Sequence, residues 1–221
     1  MTRLLSRPAL TIALLGAEST GKTQLSLAMA ARLRERGHRV AVVREALRSW
    51  CQRTGRAPRP EEQLPIAMAQ EAAVDDAAKE ADIVIADTTA LMVAIYSGML
   101  FEDGELLRFA RKRQRGYGLT LLTGLDLPWV PDGLQRVGPA VREDVDRQIR
   151  EQLRGVGVEW RMVYGAGKAR TTHALESVAD VAPWAWSPEP PPVARWQGLC
   201  ESCADPDCEH RLFTGLVRTR R

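Results

Sequence analysis

The stretch Leu10–Thr23 reads L-T-I-A-L-L-G-A-E-S-T-G-K-T and decides the fold of this chain. Its first six residues form an apolar run of the kind found in a buried strand. Its last eight fit G-x-x-x-x-G-K-S/T, the phosphate-binding loop, whose backbone N–H groups converge on phosphate oxygens. A helix-forming pattern follows from Gln24 to Arg36. The order strand, loop, helix is the context that the motif requires, although a chance match in a glycine-containing turn is the alternative.

The loop predicts a site for a nucleoside triphosphate, with ATP and Mg²⁺ as the expected ligands. Its glycines allow tight curvature, the Lys22 ammonium can reach the β and γ oxygens, and the Thr23 hydroxyl can join the Mg²⁺ shell. The residues predicted to bind the nucleotide are Gly16, Glu18, Ser19, Thr20, Gly21, Lys22 and Thr23.

Further apolar runs alternate with helical or turn-rich segments, which indicates a parallel sheet covered by helices. The chain is therefore predicted to be an α/β protein of the P-loop NTPase class. Its proposed domain spans residues 1–182, followed at 183–221 by a proline-rich connector and a small cysteine-bearing tail. The predicted strands are Leu10–Leu15, Val40–Val43, Ile83–Ala86, Leu119–Thr123 and Trp160–Val163. A helix is predicted over Glu61–Ala81, and Pro65 indicates either that it starts irregularly or that this proline belongs to its first turn.

Two acids follow predicted strands and should border the same crevice, because ligands of open α/β sheets collect at the carboxyl ends of the strands. Asp87 is predicted to help hold Mg²⁺, and the alternative is that it caps the next helix. Glu45 is predicted to be the general base that accepts a proton from an incoming hydroxyl and to contact the substrate. For Glu45, a surface acid or the start of a helix is an equally open interpretation.

Beyond the phosphate loop, the most specific stretch is D-L-P-W-V-P-D-G-L-Q-R at 126–136. With R-E-A-L-R at 44–48 and A-D-T-T at 86–89, it makes the chain from Leu10 to Ala179 resemble P-loop nucleoside-kinase-like ATPases. It also resembles the ribosylnicotinamide kinase domain of the bifunctional bacterial NAD-biosynthesis regulators. The order of the motifs along the chain matches as well.

The resemblance implies an ATP-dependent kinase with a nucleoside-like acceptor, for which nicotinamide riboside is the leading candidate. It also implies that Arg136 and Arg142 close over the phosphates, Arg136 in a catalytic role and Arg142 as a nucleotide contact. Asp126 and Asp132 would bind ribose hydroxyls and Trp129 would stack on a base. The alternatives are a packing role for Trp129 and solvated helix-face charges for the arginines.

The resemblance further implies that the turn at 164–170 lies beside the adenine, although an ordinary strand-to-helix turn explains its glycines equally well. A hypothesis from another class is a regulatory or assembly ATPase that binds nucleotide and contacts a partner through its tail.

The tail carries the pattern C-x2-C-x4-C-x-H. Three thiolates and an imidazole suit a closed, structural Zn²⁺ site, and a reduced tail without metal is the equally open alternative. The four candidate ligands are Cys200, Cys203, Cys208 and His210.

The composition favours a cytoplasmic protein. The net charge of +3 over 221 residues makes no strong case for a nucleic acid or a membrane surface. No apolar run approaches the roughly 18 residues that cross a bilayer. The four cysteines, three of them crowded near the end, fit a reducing compartment. A small-molecule partner is thus expected, and neither a membrane nor a nucleic acid is expected to bind. The sequence specifies no oligomeric state.

Overall fold

The computed structural model describes residues 7–98, 104–130 and 139–187, which contain five strands and seven helices. In chain order these elements are β1 (Leu10–Leu15), α1 (Lys22–Glu35), β2 (Val40–Val43), α2 (Ala46–Thr54), α3 (Pro60–Ala78), β3 (Ile83–Asp87), α4 (Ala90–Gly98), α5 (Gly104–Gln114), β4 (Leu119–Thr123), α6 (Pro139–Gly155), β5 (Arg161–Val163) and α7 (Gly167–Val181).

The five strands form one parallel sheet in the order β2-β3-β1-β4-β5, which confirms the predicted α/β class. In the register, Leu14 pairs with Asp87 and Val43 pairs with Ala86. The residues that follow β1, β2 and β3 therefore lie along one edge of the sheet. The phosphate loop follows the central strand, at the position where crevices of open α/β sheets form.

Helices cover both faces of the sheet, and the apolar side chains of β1 are buried on both of these faces. Ile12 and Leu14 point into one core, where α1 and α7 supply Met29, Leu33 and Val178. Successive strand residues face opposite ways. Thus Leu15 enters a second core, to which α3, α4, α5 and α6 contribute.

Helix α3 corresponds to the helix predicted over residues 61–81, and its boundaries are close to the predicted ones. Pro60 takes the first helical position, where a missing N–H costs nothing. Pro65 lies inside the helix rather than in an irregular start, so the helix forgoes the hydrogen bond that this proline cannot donate. The Glu62 side chain caps the N-terminus of the helix by accepting from the Arg59 N–H at 2.7 Å.

The chain after α7 continues into a packed turn. Ala185 and Trp186 are buried against the core that α1 and α7 share, and the Arg36 guanidinium lies 3.9 Å from the Trp186 ring centroid. Contacts divide the chain into residues 1–187 and 188–221. The boundary predicted after residue 182 falls inside this turn, and the cysteine-bearing tail lies outside the described residues.

Within the three described ranges, no helix combines the length and apolar character needed to span a membrane.

Candidate nucleotide site

The phosphate loop is shaped by Gly16, whose φ of 151° lies in a region that favours glycine. A Cβ atom at this position would lie 2.0 Å from Thr123 Oγ1 and 3.0 Å from Thr20 Oγ1. The loop therefore curls so closely over the end of β4 that no side chain fits at its first residue.

Hydroxyl groups beneath the loop hold that curl. Thr20 Oγ1 donates to the Ala17 carbonyl at 2.8 Å and lies 2.7 Å from Thr123 Oγ1. Thr123 is fully buried and also lies 3.1 Å from the Leu15 carbonyl. Sequence reasoning missed Thr123, although a threonine that ends a buried apolar strand beside the phosphate loop is a usable signal.

The Lys22 ammonium lies across the loop. Its Nζ donates to the carbonyls of Gly16 and Ala17, each at 2.8 Å. The charge is thus held beside the loop backbone, whose N–H groups are the donors that bind anions.

Thr23 and Asp87 meet across the sheet edge. Thr23 Oγ1 donates to Asp87 Oδ2 at 2.6 Å, and Asp87 is almost completely buried. Hard oxygen donors of this kind are the ligands that Mg²⁺ prefers. The pair therefore fits a magnesium ion beside bound phosphates.

The segment after Asp87 is held by helix α3. Thr88, a β-branched residue, has a φ of 90°, which is a strained conformation for a threonine. Glu71 Oε1 accepts from the Ala90 N–H at 2.8 Å, and Thr89 Oγ1 accepts from the Leu91 N–H at 3.2 Å. The described cap bonds of α4 thus come from Glu71 and Thr89, while Asp87 bonds Thr23.

Glu45 lies at the N-cap position of α2, two residues beyond the end of β2. Its carboxylate pairs with Arg48 at 3.4 Å and is about a quarter exposed. The next N–H, that of Ala46, donates to Gln70 Oε1 at 2.7 Å. The start of a helix, one of the two interpretations of Glu45, is therefore its structural position, and its catalytic role stays a prediction.

The segment after β4 contacts the phosphate loop directly. Ser19 Oγ donates to the Val130 carbonyl at 2.7 Å.

Both Nη atoms of Arg142 donate to the Leu127 carbonyl at 3.1 Å, and the Arg142 side chain is buried rather than solvated. The Trp129 Nε1 atom is buried and has no hydrogen-bond partner among the described residues.

Asp126 is engaged in contacts with the chain itself. Its Oδ2 accepts from the Gly165 N–H at 2.6 Å, and its Oδ1 lies 3.1 Å from Arg170 Nη1. Burial acts to raise the pKa of Asp126, but the Gly165 N–H and the Arg170 guanidinium outweigh it and lower the pKa. A role in ribose binding stays a prediction for Asp126.

Asp132, Arg136 and the four tail residues predicted to bind zinc lie outside the described residues. Among the described residues, no group of three or more His, Cys, Asp or Glu side chains could hold a metal ion. The roles assigned to all these residues stay predictions.

A cavity of about 540 Å³ opens beside the phosphate loop. It lies between α1, the segment after β4 and the start of α7. Its lining includes Gly21, Gln24, Ala28, Leu127, Gly167 and Thr171.

Together, the central strand, the curled loop and the threonine–aspartate pair define a P-loop NTPase fold. The sequence profile of the AAA domain family matches residues 11–175, more than half of the chain. The chain belongs to this family. A search of curated protein sequences finds no match.

Solved structures share the fold at low sequence identity. The NadR protein in complex with NAD and AMP-PNP is 16% identical, with a TM-score of 0.66, and the match covers 82% of this chain and 51% of NadR. NadR in complex with NR is 17% identical, with a TM-score of 0.65 and coverages of 78% and 50%. Thymidylate kinase from Ehrlichia chaffeensis is 14% identical, with a TM-score of 0.54 and coverages of 79% and 99%.

The chain thus spans about half the length of the NadR structures. The predicted likeness to P-loop kinase-like proteins is confirmed at the level of the fold.

Proposed function

We propose that this protein is an ATP-dependent kinase that phosphorylates a hydroxyl group of a small, nucleoside-like acceptor. The observation that carries the proposal is the 2.6 Å contact between Thr23 Oγ1 and Asp87 Oδ2 directly below a complete phosphate loop. A buried carboxylate bonded to the threonine of the loop is the arrangement that P-loop enzymes use to organise Mg²⁺.

The donor side of the reaction uses the loop and its lysine. Loop amides bind the β and γ oxygens, and the Lys22 ammonium exchanges its two carbonyl partners for phosphate oxygens. Thr23 and Asp87 hold Mg²⁺, which supplies charge neutralisation across the phosphates when bound. The Thr23 hydroxyl can donate to Asp87 and still offer a lone pair to the metal.

The 540 Å³ cavity is proposed to hold the nucleoside end of ATP. Its volume falls within the range of about 300–1,000 Å³ that is typical of ligand pockets. It adjoins Gly21 at the end of the phosphate loop, and Ala166 and Gly167 of the turn before α7 also line it. A nucleotide whose phosphates lie in the loop can therefore extend its base into this cavity.

Glu45 is proposed to act on the acceptor. In the transfer, the bond between the γ-phosphorus and the β,γ-bridging oxygen breaks, and a bond to the acceptor oxygen forms. The acceptor hydroxyl releases its proton to the Glu45 carboxylate. The position of Glu45 supports this role, since β2 is the immediate neighbour of β3 and the two strands end at the same edge.

Nicotinamide riboside, the NR bound in the second NadR structure, is the acceptor that we propose to test first. Support comes from the shared fold and from the D-L-P-W-V-P-D-G segment. In this segment, Trp129, Asp126 and Asp132 are proposed to contact the acceptor, and Arg136 is proposed to close over the phosphates. Trp129 and Asp126 are described in the structure, whereas Asp132 and Arg136 lie outside the described residues. ADP is the second product.

The test incubates the full chain with Mg·ATP and a panel of nucleosides that includes nicotinamide riboside, and mass spectrometry detects phosphorylated acceptors. Lys22→Ala should abolish product formation, whereas the matched control Lys79→Ala should retain it, because Lys79 pairs with Asp76 on the surface of α3. Acceptor phosphorylation by Lys22→Ala at the wild-type rate would refute the mechanism.

The same assay distinguishes the proposed kinase from the second hypothesis, a regulatory or assembly ATPase. A regulatory or assembly ATPase would hydrolyse ATP slowly and form no phosphorylated acceptor with any nucleoside. It would also lose a bound partner when residues 188–221 are deleted, a change that leaves the packed turn at 182–187 in place.

A further inference from the structure

Arg170 on α7 connects three segments that border the nucleotide site. Its Nη2 donates to the Thr20 carbonyl in the phosphate loop at 2.8 Å. Its Nη1 donates to the Gly165 carbonyl at 2.7 Å and lies 3.1 Å from Asp126 Oδ1. One side chain thus holds the phosphate loop, the end of β4 and the turn after β5. Neither the motifs nor the proposed reaction assigns it a role.

The Arg170 side chain is nearly inaccessible, with 4% of the residue exposed. Its Nε atom is buried and has no hydrogen-bond partner among the described residues. It also lines the 540 Å³ cavity. Burying a guanidinium is costly unless its bonds compensate, so a buried arginine that lines a ligand cavity and has an unpartnered Nε–H among the described residues points to a role in the site.

The bond to Thr20 has a specific consequence for the loop. In a trans peptide, the carbonyl oxygen and the following N–H point in opposite directions. With the Thr20 carbonyl held by Arg170, the Gly21 N–H points away from Arg170, and the amides of this loop are the groups that bind phosphate. A charged donor on the carbonyl also polarises the peptide and strengthens the opposite N–H as a donor.

The bonds to Gly165 and Asp126 act on the turn before α7, which borders the cavity through Ala166 and Gly167. Gly165 has a φ of 89°, and its N–H and C=O are held by Asp126 and Arg170 respectively. This double attachment fixes the turn that borders the proposed base pocket. The phosphate loop and this turn are therefore both held by Arg170.

We propose that Arg170 is a positioning residue that orients the Thr20–Gly21 peptide toward phosphate and locks the phosphate loop to the base-side turn. This inference rests on the proposed nucleotide site and deepens it. The bond from Arg170 to Thr20 should affect the binding of any polyphosphate, whereas the attachment through Asp126 should affect only the binding of ligands that reach the base-side turn.

Calorimetric titration of the full chain with Mg·ATP and with inorganic tripolyphosphate tests this division. Arg170→Ala should weaken both ligands at least tenfold, and Arg170→Lys should fall between wild type and alanine because an ammonium lacks the planar fork. Asp126→Ala keeps the bond to Thr20, so it should weaken Mg·ATP at least fivefold and leave tripolyphosphate within twofold of wild type.

The control for a merely structural effect is Val178→Ala, which removes buried volume from the same helix without touching these contacts. It should lower the unfolding midpoint and leave both affinities unchanged. If Arg170→Ala does not fold, Arg170→Lys and Asp126→Ala still decide the outcome.

Wild-type affinities in the folded Arg170 variants would overturn the positioning role and leave the proposed function intact. Equal losses for both ligands in Asp126→Ala would overturn the division of labour. Failure of the wild-type protein to bind either ligand would overturn the proposed function and this inference together.

Discussion

Replacement of Gly16 by alanine tests whether the curl of the phosphate loop requires the absence of a side chain. The new Cβ would lie 2.0 Å from Thr123 Oγ1, far inside van der Waals contact, on a backbone with φ of 151°. Overpacking a tight site costs about 1–3 kcal/mol. The backbone conformation adds about 1–3 kcal/mol for a residue with a Cβ. We therefore expect Gly16→Ala to lower the free energy of unfolding by roughly 2–6 kcal/mol.

The assay is urea unfolding followed by circular dichroism, with Gly37→Ala as the matched control. Gly37 has a φ of 86° and nothing within 4 Å of its ideal Cβ, so its replacement measures the backbone cost without a clash. Thr123→Ala removes the oxygen that the new methyl meets. The double variant should accordingly recover about 0.5–3 kcal/mol relative to the sum of the single changes.

Two results would refute this reasoning. One is a destabilisation by Gly16→Ala no larger than that by Gly37→Ala. The other is strict additivity between the changes at Gly16 and Thr123. Either result would mean that the loop yields at little cost and that its tight contact with β4 does not maintain its shape.

Three further predictions concern carboxylates and a buried phenol. Glu45→Gln should lower phosphoryl transfer by about 10²-fold or more with little change in the KM for ATP, and an unchanged rate would leave Glu45 as a helix cap only. Glu71→Ala leaves the Ala90 N–H at the start of α4 without its acceptor and leaves Arg113 paired with Asp75, so urea unfolding should register a loss of about 1–3 kcal/mol. A loss below about 0.5 kcal/mol would contradict this role of Glu71. Burial, followed by the charge of Glu71, raises the pKa of Tyr117, so its stabilising contribution is complete below pH 10 and declines above it. Between pH 9 and pH 11, the free energy of unfolding should therefore fall less in Tyr117→Phe than in wild type, and equal falls would contradict the shift.

Local sequence was sufficient for the elements that build the site. The five strands were predicted to within one residue at each end, because short apolar runs between helical and turn-rich segments are characteristic of strands in a parallel sheet. The phosphate loop was equally recognisable, since each fixed position of its motif has a backbone or charge requirement of its own. Asp87 could be singled out because it ends such a run.

Helix boundaries were less well determined. Pro65 argued for an irregular start, yet α3 continues through it with the loss of one backbone hydrogen bond. The packed turn at 182–187 was also missed. Its tryptophans follow a proline and carry no periodic pattern, and their burial depends on α1, which lies some 150 residues earlier in the chain.

The sequence by itself determined a strand, a phosphate loop and a helix, together with the acid that meets Thr23, because these features follow from hydrophobic period and motif spacing. Only the tertiary structure decided that Thr123 lies beneath Gly16 and that Arg170 holds Thr20. The strand order β2-β3-β1-β4-β5 places β4 beside β1 and brings α7 back against α1. Contacts between residues more than a hundred positions apart depend on that order, and no local pattern along the chain encodes it.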